Sequence, residues 1–115
     1  MISITTGIDI VSVQRFRDVP FKNNKKFYLD IFDDEEIKYC LKFKDPYPYF
    51  AAKFAVKEAV AKAARKPIPM LEIHTAHGKD GSPTVKCAVL DGKELQVSLS
   101  HEKDIAVAIV ISISQ

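Results

Sequence analysis

The sequence predicts an α+β domain: helices early in the chain, and an antiparallel sheet, formed mostly from the later part, packed on one long helix. Three features carry that expectation. Residues 49–65 are built from Ala, Lys, Glu and Val with aromatic residues at intervals and contain neither Gly nor Pro, a composition suited to uninterrupted helix. After residue 70 the chain breaks into β-branched runs, with Asp80-Gly81 and Asp91-Gly92 supplying the dipeptides of tight hairpin turns. The first dozen residues add another run rich in Ile, Val and Thr.

Ile2 to Val13 alternates loosely and reads as a strand with one polar anomaly, Asp9 between Ile8 and Ile10. A short basic helix follows and ends before Pro20, because proline drives its predecessor out of the helical region. Phe21 to Leu29 suits another helical turn or two. Asp33 and Asp34 open the next helix, with Glu36 three residues after Asp33 as in a capping box, and it is expected to run to about Phe43. Asp45-Pro46-Tyr47-Pro48 interrupts the helical pattern. The long helix then spans about Tyr49 to Arg65. Phe50, Phe54, Ala55 and Ala59 define its buried face, Lys53 and Lys57 a solvated rim, and Pro67 and Pro69 stop it. Strands are expected at Leu71 to Thr75, Thr84 to Val89, Leu95 to Leu99 and Ile105 to Ile113. The last is apolar on both faces, so it lies centrally in a sheet or under a neighbouring subunit.

The 115 residues suit one domain, 1–115, with a modest core that oligomer formation would help. An apolar fraction of 47% with 28% charged residues excludes a disordered chain. The net charge of +2 is too small to argue for nucleic acid, and aromatic residues are not interleaved with basic ones as an RNA-binding sheet requires. Arg15, Arg17, Lys22, Lys25 and Lys26 crowd one early segment, and Asp30, Asp33, Asp34, Glu35 and Glu36 follow as an acidic one. These are solvated helix surfaces, or the basic stretch docks an acidic partner. Cys40 and Cys87 stand alone without metal-ligand spacing, and with no leader visible a reduced, cytoplasmic setting is expected. No apolar run approaches ~18 residues, so no membrane span is expected.

Three groups of residues could carry chemistry. Asp9 in an Ile-Asp-Ile strand either faces outward or is paired, hydrogen-bonded or metal-bound. Glu58 and Lys62 lie four apart on the long helix, as a surface ion pair or on the edge of a cleft. Ser98, Ser100 and His101 end a strand, where hydroxyls and an imidazole can hold a phosphate or a sugar. His74 and His77 point to opposite faces of a strand and read as incidental, not as a zinc pair. Two carboxylates with scattered Lys and Arg describe a hard-cation site, and Mg²⁺ prefers one or two carboxylates, waters and phosphate oxygens. That is the equipment of phosphoryl or substituted-phosphoryl transfer. A catalytically silent module that docks acidic helical proteins is the competing reading.

The order of motifs then resembles a known family. Gly7-Ile8-Asp9-Ile10-Val11 with Arg15-Phe16, Phe27 through Cys40, Phe50 through Ala63, Gly81-Ser82-Pro83, and Val97 through His101 followed by Ala106-Val107-Ala108 are similar to the signatures of the holo-acyl-carrier-protein synthases, the small phosphopantetheinyl transferases. The resemblance implies the phosphopantetheinyl-transferase-like fold, a homotrimer with interfacial active sites, and transfer of 4'-phosphopantetheine from coenzyme A to a serine of apo acyl carrier protein, in support of fatty acid biosynthesis. It implies Asp9 and Glu58 as magnesium ligands and, with Lys62, as the catalytic set. Lys53, where the family usually has Arg, would contact the cofactor as a point charge. Lys62 would lie by the phosphates, Gly81 and Pro83 near the adenine, and Ser100 and His101 near the 3'-phosphate from an adjacent subunit. Arg15, Phe16, Arg17, Lys22 and Lys25 would dock the acidic carrier. Asp9, Glu58 through water, or neutral Lys62 could take the serine proton. After the signature helix the family usually has a glycine turn; this chain has Ala64-Arg65-Lys66-Pro67, so a different turn is expected.

Overall fold

A computed structural model describes residues 1–115. Strand β1 (Ser3–Ser12) leads into three short helices, α1 (Gln14–Arg17), α2 (Lys25–Leu29) and α3 (Asp34–Leu41), then the long α4 (Tyr47–Ala64). Strands β2 (Ile73–His77), β3 (Pro83–Cys87), β4 (Glu94–His101) and β5 (Ile105–Ser114) complete the chain. No helix is long and apolar enough to cross a membrane.

The strands form two antiparallel sheets, where one was expected: β1-β5-β4 and β2-β3. β5 is central, pairing Asp9 with Ala108 on one side and Leu99 with Ala108 on the other. Its two apolar faces therefore have different fates. Ala106, Ala108 and Val110 are buried against α4, while Ile105 and Ile109 stay exposed on the outer face. The Asp80-Gly81 turn joins β2 to β3, with Gly81 at φ 85°, a conformation glycine reaches without strain. Asp91-Gly92 closes no hairpin: a 3₁₀ turn at Ala88–Leu90 intervenes, and β3 and β4 belong to different sheets.

α3 begins as its sequence predicts, with Asp33 accepting from the Glu36 N–H and the Glu36 side chain accepting from the Asp33 N–H. α4 begins two residues earlier than expected. Pro46 caps it and Pro48 sits in its first turn, where a missing N–H leaves no hydrogen bond unmade, so the prolines start the helix. The expected solvated rim of α4 is also corrected, because Lys53 and Lys57 are both buried. α3 and β2 cover that side of the helix, and the Lys57 ammonium is matched by three acceptors there: Ile31 O at 2.8 Å, Glu36 Oε1 at 2.7 Å and Met70 O at 3.1 Å. A lysine has three donors, so none is left unmet.

β1 lies against α4 closely enough that a Cβ on Gly7 would fall 2.0 Å from Ala59 O and 2.7 Å from Ala63 N. Thr5 Oγ1 donates to Ala63 O at 2.7 Å and fastens the same contact. This close seam sets the distance between the strand carrying Asp9 and the helix carrying Glu58.

Candidate active site

Asp9 shares the helix-facing side of β1 with Gly7 and Val11. β1 runs opposite to α4: Thr5 meets Ala63, Gly7 meets Ala59, and Asp9 lies two residues further along the strand. Side chains on a helix lean toward its N-terminus, so Lys62 reaches back to the same point. Its Nζ donates to Asp9 Oδ1 and to Ile8 O, each at 2.9 Å. The Asp9 side chain is 15% exposed, which rules out an outward-facing carboxylate. Glu58 is half-buried and enters no salt bridge, leaving its oxygens available. The Glu58–Lys62 surface pair is thus replaced: Lys62 bonds Asp9, and Glu58, one helical turn earlier, enters no salt bridge.

The expected cofactor residues gather elsewhere. Lys53, Gly81, Pro83 and His101 line one cavity of about 200 Å³, with Tyr39 and Tyr49 as aromatic walls. His101 packs edge-on to Tyr49 at 4.8 Å. Lys53 Nζ donates to Thr75 Oγ1 at 3.0 Å and lies 4.7 Å from the Tyr39 ring centre. Burial holds its ammonium below the ordinary lysine value, against the opposing pull of Cys40 and Glu36. Ser100 does not join this cavity. It alternates with His101 along β4 and lies exposed opposite Val107, so the two residues face opposite sides of the sheet.

His77 has a setting that the sequence does not announce. It lines the cavity and the adjoining groove of Lys38 and Lys42, stacked on Tyr39 at 4.1 Å. Burial, then Lys53 and Lys42, hold its imidazole below the usual range. Only the pairing of β2 with β3 brings it there, and no local signal in the sequence announces that. His74 turns the other way, its Nδ1 3.0 Å from Asp33 Oδ2.

Asp9, Glu58 and Lys62 do not line this cavity. Lys53 and Glu58 are five residues apart on α4, which places them roughly 140° apart around its axis.

A family model described as the 4'-phosphopantetheinyl transferase superfamily matches residues 5–110. The chain belongs to the 4'-phosphopantetheinyl transferase superfamily. Among its relatives, the holo-[acyl-carrier-protein] synthase of Thermodesulfovibrio yellowstonii is 41% identical over 107 residues, covering 91% of this chain and 94% of its own. That of Dehalococcoides mccartyi strain 195 is 37% identical over 117 residues, covering 93% and 96%. A Bacillus anthracis holo-(acyl-carrier-protein) synthase solved in complex with CoA (3',5'-ADP) superposes with a TM-score of 0.87 at 26% identity, each chain covered completely. The Helicobacter pylori enzyme in complex with coenzyme A gives 0.82 at 28% identity, over 93% of this chain and 98% of that one.

Two expectations drawn from likeness to the phosphopantetheinyl transferases need correction. Phe16 is not on a docking surface. It is buried among Phe27, Tyr28, Phe32 and Phe54, with ring centres 5.6 to 6.2 Å away. Arg17 is occupied as well, forked onto Asp45 with two bonds of 2.9 Å and bonded to Lys103 O. Arg15, Lys22 and Lys25 do remain exposed, Arg15 over the Phe54 ring at 4.9 Å. The second correction concerns the turn after α4. Arg65 adopts φ 60°, ψ 33°, the left-handed cap conformation that usually falls to glycine, so a non-glycine residue takes φ > 0 here.

Proposed function

We propose that this chain is a holo-[acyl-carrier-protein] synthase. It transfers 4'-phosphopantetheine from coenzyme A to a serine hydroxyl of an apo acyl carrier protein and releases adenosine 3',5'-bisphosphate. This serves fatty acid biosynthesis in the cytoplasm. The observation that carries the reading is the Lys62–Asp9 bond at 2.9 Å, one helical turn from Glu58, which enters no salt bridge.

Magnesium fits these residues. The candidate donors are the carboxylate oxygens of Asp9 and Glu58, and Asp9 already holds a cation, the Lys62 ammonium. When bound, the ion would offset charge on the coenzyme's diphosphate and favour attack by the hydroxyl. Asp9 and Glu58 would hold it. Lys62, released from Asp9, would pair with a phosphate oxygen and stabilise the charge that grows on the leaving bisphosphate. Lys53 would receive an anionic part of the coenzyme in the cavity, with Gly81 and Pro83 beside the adenine and His101 toward the 3'-phosphate.

A homotrimer would bring the two sets of residues together. The outer face of β1-β5-β4 leaves Ile8 59% and Ile10 64% exposed, beside Ile4, Ile105 and Ile109, an apolar surface unsuited to water. Packing it against copies of itself would also let the cavity of one chain approach Asp9 and Glu58 of the next. Arg15, Lys22 and Lys25 would steer the acidic carrier. Phe27 and Leu29, 40% and 49% exposed, would supply the apolar contact that Phe16 cannot.

The test is direct. Incubated with apo carrier, coenzyme A and Mg²⁺, the protein should add the mass of one phosphopantetheine arm to the carrier, and EDTA should abolish the gain. Binding without a mass gain, across several apo carriers, would leave only a docking module.

A further inference from the structure

The cavity wall is backed by a chain of buried hydrogen bonds. Lys53 Nζ donates to Thr75 Oγ1 at 3.0 Å. Thr75 gives its hydroxyl proton to Glu36 Oε2, and its backbone N–H donates to the same oxygen at 2.8 Å. The other oxygen, Oε1, accepts from Lys57 Nζ at 2.7 Å and from the Asp33 N–H at 2.9 Å. Glu36, Lys53, Lys57 and Thr75 are all buried.

The direction of donation along this chain is forced. A carboxylate only accepts, so the Thr75 proton must point at Glu36. The lone pairs of the hydroxyl then face Lys53, and a group that could otherwise rotate is locked as an acceptor. Lys57 matters equally. It takes up the charge of Glu36, so Lys53 is supported through a neutral hydroxyl and keeps its own charge uncompensated. Thr75 is the protein acceptor of the Lys53 ammonium, and the remaining protons of that ammonium are left for whatever fills the cavity. An ammonium has no directional fork of its own, so its aim comes from what it leans on.

We infer that Glu36 and Thr75 are positioning residues for coenzyme A, acting in series to fix the direction in which Lys53 presents its ammonium to the anionic cofactor. The inference rests on the coenzyme reading of the cavity. Thr75→Val keeps the shape of the side chain, the backbone bond to Glu36 and the Glu36–Lys57 pair, and removes only the hydroxyl. Thr75→Ser keeps the hydroxyl and loses a methyl. Steady-state kinetics at saturating carrier and Mg²⁺ should show KM for coenzyme A rising about ten-fold in Thr75→Val with kcat nearly unchanged. Thr75→Ser should stay close to the parent despite a comparable shift in melting temperature. Should the valine variant fail to fold, Thr75→Ala against Thr75→Ser gives the same comparison. An unchanged KM without the hydroxyl, or an equal rise in the serine variant, overturns the relay. If the parent protein neither binds coenzyme A in calorimetry nor transfers from it, the coenzyme reading itself fails and the inference falls with it.

Discussion

Lys53 and Lys57 lie one turn apart on α4 and are both buried, yet their surroundings differ. Lys57 is satisfied by three acceptors and is structural. Glu36→Gln would strip its counter-charge inside the core and should destabilise the fold by about 3–5 kcal/mol in chemical denaturation. Lys53 has one neutral acceptor and an ammonium value depressed by burial. Between that lowered value and the ordinary 10.5 the unfolded chain binds more protons than the folded one, so stability should rise with pH through the window. Lys53→Met should flatten that rise and raise the melting temperature at neutral pH while weakening coenzyme A binding; a steeper rise would mean the ammonium is not held against burial. Burial also pushes the Cys40 thiol up to about 12, with Glu36 adding to the effect and Lys53 opposing it. It should therefore resist alkylation in the native protein. Glu58→Gln should abolish transfer and leave the melting temperature almost unchanged, since Glu58 holds no other side chain.

The elements were legible in the sequence where local rules decide them. The Asp33–Glu36 capping box, the strand around Asp9 and the glycine turn at Gly81 follow from spacing and backbone preference. Where tertiary cover decides, the sequence misleads. Lys53 and Lys57 read as a rim because nothing in α4 announces that α3 and β2 will pack over them. Phe16 reads as a docking residue because a one-turn helix does not reveal which face it buries. Prolines 46 and 48 read as an interruption because the same residues serve both helix ends and helix starts. The closeness of β1 to α4 was equally invisible, since a glycine in a strand does not say what approaches it. Gly7→Ala should force the strand off the helix and cost several kcal/mol, because the atoms met are backbone and cannot turn aside. Arg65→Gly should do the reverse, stabilising by about 1 kcal/mol through relief of the left-handed cap. A drop in melting temperature for that variant would show that Arg65 contributes more by its side chain than its backbone costs.

At the scale of the whole molecule, Lys53 and Glu58 project from different faces of α4, so the proposed site would draw on two copies of the chain. The apolar face of the three-stranded sheet offers a physical reason for copies to assemble: the parent chain should scatter light as an oligomer and Ile8→Lys as a monomer. The central claim is that a coenzyme A molecule is gripped by Asp9 and Glu58 of one subunit and the Lys53 cavity of another. Its most direct measurement is the mass of the carrier after reaction, at limiting coenzyme A, with Glu58→Gln alone, with Lys53→Ala alone, and with the two variants unfolded and reassembled together. Each alone should add little, while the mixture should recover about a quarter of the parent rate, the share of interfaces that unite two intact halves in random assembly. A mixture no more active than its parts, or full transfer by Glu58→Gln alone, would contradict it.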